Sequence, residues 1–80
     1  MIMWIQAHVS NVKPGDTVRV KDDSFDKGTG EMHNGRICEV LSTRSGDIVV
    51  KSIDDRKPEL PKTYYPAIVL EKRVEEWESQ

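Results

Sequence analysis

The sequence predicts an all-β domain, a small and strongly curved barrel. Three observations carry this: four or five short segments of apolar alternation, turn signals between them, and no long helical period. Closing such a sheet would also remove the exposed edges that a chain of 80 residues has little material to cover. One domain is the expectation for this length.

Met1 to Val12 alternates loosely. Met1, Met3, Ile5, Ala7 and Val9 share one parity, and Ile2, Trp4, Gln6 and His8 the other, which predicts an initial strand. Ser10 to Asp16 reads as a turn, with Pro14 and Gly15 in the two central places of a type II geometry. Thr17 to Lys21 is the cleanest strand, its Val18 and Val20 pointing one way. The segment 21–34 reads as a long polar loop with Phe25 as its lone aromatic.

Gly35 to Leu41 predicts the next strand, with Cys38 and Val40 on one face and Ile37 and Glu39 on the other. Ser42 to Asp47 is a tight turn around Gly46, and Ile48 to Ile53 a β-branched strand, so the two strands should form an antiparallel hairpin. Asp54 to Lys62 is a loop holding Pro58 and Pro61. After Tyr64-Tyr65-Pro66, residues 67–70 read as a closing strand. Leu70, Val74 and Trp77 stand at helical spacing and predict a short C-terminal helical turn. The core expected from alternation is Val18, Val20, Ile37, Val40, Ile48, Val50 and Ile68.

The run Val12-Lys13-Pro14-Gly15-Asp16-Thr17-Val18-Arg19-Val20 resembles the entry to small SH3-like barrels, and in particular their KOW-type nucleic acid-binding members. Gly35 to Val40 followed by Asp47 to Lys51 resembles their central hairpin, and Tyr64 to Glu71 their last turn and strand. The resemblance covers residues 12–71 and implies a five-stranded SH3-like barrel with 72–80 as a tail. It implies a noncatalytic binding module associated with nucleic acid or a nucleoprotein complex. Where KOW modules carry a compact basic loop, this chain has Asp22, Asp23, Asp26 and Glu31.

Twelve basic and fourteen acidic side chains give a net charge of −2, which excludes a polybasic arm and leaves room for a local patch. The candidate phosphate contacts are Arg36, Arg44, Lys51, Arg56 and Lys57, with Tyr65 to stack on a base. The alternative is a protein-interaction or accessory subunit that docks through the 21–34 loop and the tyrosine turn, using Phe25, Tyr64, Tyr65, Asp22 and Asp23.

No nucleophile elbow, phosphate-cradling glycine loop or paired-carboxylate cleft is present, so no enzyme and no cofactor are expected. His8, His33 and Cys38 lack the short spacing of a metal site, and the single cysteine excludes an internal disulfide framework. No apolar run reaches the ~20 residues a membrane helix needs, and no leader is seen, which makes a cytoplasmic protein the expectation.

Overall fold

The computed structural model describes residues 1–75. Among these residues six strands make one antiparallel sheet: β1 (Ile2–Gln6), β2 (Thr17–Val20), β3 (Ile37–Arg44), β4 (Asp47–Ser52), β5 (Thr63–Pro66) and β6 (Leu70–Glu75). A short helix α1 (Lys27–His33) lies between β2 and β3, and a 3-10 turn (Ala67–Val69) between β5 and β6. The spatial order is β1-β6-β2-β3-β4-β5.

This order corrects the expected five-stranded SH3-like barrel and, with it, the likeness to KOW-type modules. The sheet is open: β1 and β5 lie at its two ends, and no pairing joins them among the described residues. The physical reason lies in how the core is covered. Phe25, Ala67 and Val69, from the connections rather than from closing strands, pack on the buried set. At the far edge β5 stops after four residues at Pro66, which has no N–H to extend a ladder.

The turn at Pro14-Gly15 forms as expected. Asp16 N–H donates to Lys13 C=O at 3.1 Å, and Gly15 takes the positive φ of 97° that a side chain would resist. Antiparallel pairing of β3 with β4 also follows the alternation, with a bulge between Val40 and Ser42. The core holds Ala7, Val12, Val18, Val20, Cys38, Val40, Ile48, Val50, Tyr65 and Leu70.

Four local expectations are corrected. Ile68 is 73% exposed, because after Pro66 the chain winds into a 3-10 turn instead of a strand. Ile37 lies on the outer face and is only half-buried. Leu70–Glu75 is strand β6, not the start of a helical turn, and Trp77 lies outside the described residues. The 21–34 segment contains α1, despite Gly28 and Gly30, because Asn34 clamps its flank: Phe25 N–H donates to Asn34 Oδ1 and Asn34 Nδ2 to Phe25 C=O, both at 3.0 Å. Among the described residues no helix is long and apolar enough to cross a membrane.

Candidate interaction surface

The basic residues singled out from the sequence do not converge. Arg36 shares the parity of Cys38 and Val40 and is fully buried. Its Nε donates to Met32 C=O at 2.8 Å and its Nη1 to Ser52 Oγ at 2.6 Å, while Nη2 has no hydrogen-bond partner among the described residues. The guanidinium therefore ties α1 to β4 and is out of reach of a phosphate. Arg56 is exposed but committed, with Nε and Nη2 both 2.8 Å from the buried Asp54 carboxylate. That fork, with two backbone N–H donors from Ile37 and Arg56, holds the Asp54 carboxyl well below the usual range. Lys57 Nζ donates to Glu31 C=O at 2.9 Å, and Lys51 stands 3.8 Å from Glu39.

Arg44 differs, being exposed beside an exposed aromatic. Its guanidinium carbon lies 5.3 Å from the Tyr64 ring centroid. Lys51 sits toward the other end of the hairpin: Arg44 pairs with Asp47, and four residues of strand from Asp47 to Lys51 span roughly 13 Å.

The aromatic candidates turn inward, apart from Tyr64. Tyr65 is buried, its hydroxyl 2.7 Å from His33 Nδ1, and burial pushes it up to about 12. It cannot stack on a base as expected. Phe25 stacks on His33 with centroids 4.6 Å apart and meets Tyr65 edge-on at 6.1 Å. This cluster anchors the 21–34 segment inward. Asp22 and Asp23 remain exposed, Asp23 in the left-handed region at φ 69°.

Asp22 borders a polar groove of about 490 Å³ that also receives Arg19, Asn34, Gly35, Arg56 and Glu71. Arg19 and Glu71 pair with each other there, Nε 2.8 Å from Oε1, and Arg56 is held by Asp54. Cys38 is buried, and burial pushes its thiol up to about 11, away from the nucleophilic thiolate. No group of three His, Cys, Asp or Glu side chains able to hold a metal ion occurs among the described residues.

A different feature stands out at the other end of the sheet. Strand β1 is an edge with the sequence Ile-Met-Trp-Ile-Gln, free of charge and proline. Ile2 is 50% exposed, Met3 38% and Ile5 39%. Trp4 is half-buried under Arg19, whose guanidinium carbon lies 4.3 Å from the ring centroid. Among the described residues, pairing of β6 with β2 covers Leu70 to Lys72, and Arg73 to Glu75 pair with β1 alone. That end of the sheet is a two-stranded ribbon running beyond β2. The reading from sequence missed this edge, although an uncharged run from Met1 to Gln6 in a chain with 26 charged residues is a signal for it. Comparisons with protein-family models, with curated proteins and with solved structures find no match to this chain.

Proposed function

We propose that this chain is a noncatalytic protein-interaction module that docks by strand addition at the open edge of β1. One observation carries the reading: an uncharged, half-exposed apolar strand at a sheet edge, on a ribbon that extends past β2. Natural edges are commonly blunted by charge, proline or a short strand, because free N–H and C=O groups template another strand. The β5 edge is blunted in this way and β1 is not. Main-chain bonds would supply affinity, and Ile2, Met3 and Ile5 the apolar contact.

Titration with a short uncharged peptide of alternating valine and threonine tests it. Backbone amide resonances of Ile2 and Trp4 should shift saturably, and Ile2→Pro, which removes one outward N–H, should weaken the shift at Trp4 about tenfold. In protein dilute enough to be monomeric, no change at those amides at ~1 mM peptide, a threshold of only about −4.1 kcal/mol, would overturn the reading.

A nucleic acid-associated role is supported by one observation, the exposed Arg44–Tyr64 pair, which offers a cation beside an aromatic face. Oligonucleotide titration separates it. Shifts centred on Arg44 and Tyr64 that weaken steeply with salt would favour that second reading.

A further inference from the structure

We infer that the strand docked on β1 is the β1 of a second copy, paired antiparallel about a two-fold axis between the two Met3 residues. This rests on the edge-docking reading above and names its occupant.

Hydrogen-bond direction leads to it. In an antiparallel ladder, alternate residues turn both backbone groups toward the same neighbour. Ala7 N–H donates to Leu70 C=O at 3.1 Å, one step beyond the Gln6–Glu71 pair, so the odd residues Met3, Ile5 and Ala7 face β6. Ile2, Trp4 and Gln6 therefore turn outward. Gln6 agrees, since its C=O accepts from Asn11 Nδ2 at 3.1 Å, and Asn11 Oδ1 takes the His8 N–H at 2.9 Å. Asn11 thus closes the edge at positions 6 and 8. The open stretch is Ile2 and Trp4, each with an outward N–H and C=O.

Only registers that set outward residues against outward residues join these groups. A two-fold at Ile2 joins only that residue within β1, since Trp4 would fall opposite a position outside the strand. One at Trp4 sets Ile2 against Gln6, whose carbonyl Asn11 already occupies. A two-fold at Met3 pairs Ile2 with Trp4 of the second copy, and Trp4 with its Ile2, and so uses every outward group of both residues. The two Met3 residues then form the close, non-hydrogen-bonded pair, with Cα atoms ~4.5 Å apart.

The side chains fit the same register. Met3 pairs with Val74 on its own β6, so an apolar row runs Val74, Met3, then Met3 and Val74 of the second copy. The neighbouring row runs Glu75, Ile2, then Trp4 and Arg73 of the second copy, with opposite charges at its two ends. No like charges meet across the axis. The contact is isologous and consumes the edge, and Pro66 blunts the other end of the sheet, so assembly stops at a dimer.

The test combines sedimentation equilibrium of the full chain with engineered thiols. From about 5 to about 500 μM the chain should pass from monomer to dimer and no further, the range of a small, concentration-dependent interface. Ile2→Pro removes an outward N–H without touching the β1–β6 bonds, and should weaken the dimer about tenfold or more. Met3→Cys should give an intermolecular disulfide under mild oxidation, with the buried Cys38 unreacted. Ile5→Cys should not, because its two copies would lie four positions out of register. A chain that stays monomeric with no Met3→Cys disulfide overturns the dimer, as does a dimer indifferent to Ile2→Pro or linked through Ile5→Cys. Peptide shifts at Ile2 and Trp4 in a monomeric chain would leave edge docking standing for another partner. Their absence would remove both.

Discussion

Ile48 and Ile68 are the same residue type in opposite surroundings, which makes a paired substitution informative. Ile48 lies in β4 between Thr43 and Tyr65 and is fully buried, whereas Ile68 is 73% exposed on the 3-10 turn. Replacing isoleucine by alanine removes about three carbon groups, worth ~0.8 kcal/mol each when fully withdrawn from water, or ~2.4 kcal/mol together. At Ile48 the whole of that is lost, and an incompletely collapsed cavity adds to it, so Ile48→Ala should cost about 3–4 kcal/mol. At Ile68 only about a quarter of the side chain is withdrawn, and Ile68→Ala should cost ~0.6 kcal/mol. Urea denaturation followed by circular dichroism measures both, with an unchanged m-value showing that the unfolding transition itself is the same. Equal losses at the two positions, or a loss below ~1 kcal/mol at Ile48, would refute the placement of the core.

Two further predictions concern titratable groups, the buried Cys38 and the half-buried His33. Cys38 should label slowly with a thiol reagent in the folded chain and rapidly once unfolded, since its thiol is buried and pushed up to about 11; immediate labelling would contradict its place in the core. His33 lies against Phe25, the Tyr65 hydroxyl and the charge of Arg36, and burial first, then Arg36, lowers its pKa below 6.5. The unfolded chain therefore binds the proton more readily, so stability is full above 6.5 and falls as pH drops through that value. Urea midpoints between about pH 5 and 7.5 should show this fall in the native chain and a flatter profile in His33→Gln, and identical profiles would contradict it.

Much of the strand content was legible because alternation is a local property. Thr17–Val20 and the antiparallel pairing of the two central strands follow from apolar alternation, but the expected Ser42–Asp47 turn shrinks to Ser45 and Gly46, because Ser42 to Arg44 continue the ladder against Asp47 to Val49. Whether the first and last strands of the sheet meet is not local. It depends on what covers the core, and here Phe25 and the 3-10 turn do so without closure. Helix α1 was hidden for a similar reason, since Gly28 and Gly30 lower its intrinsic propensity and the Asn34 clamp that holds it is a tertiary contact. The helical spacing of Leu70 and Val74 shows the ambiguity of short apolar patterns, because pairing of Leu70–Glu75 with both β1 and β2 overrides it.

The candidate site divides along the same line. Six basic or aromatic residues suggested a phosphate face from their spacing alone, but parity already placed Arg36 with Cys38 and Val40, on the face that becomes the core. Tyr65 follows the same rule, being paired with Ile48, while Tyr64, paired with Val49, turns outward. The edge of β1 needed the strand order before it could be recognised. Its uncharged sequence was visible, but its vacant side was not.

The openness of that edge is the central claim, and amide hydrogen exchange of Ile2, Met3, Trp4 and Ile5 tests it most directly. In dilute protein the account predicts alternation: slow exchange at Met3 and Ile5, whose N–H groups face β6, and fast exchange at Ile2 and Trp4. Raising the concentration should slow Ile2 and Trp4 and leave the other two unchanged. Protection of Ile2 and Trp4 in dilute solution, at every concentration alike, would mean that the edge is already filled within one chain and would contradict the account.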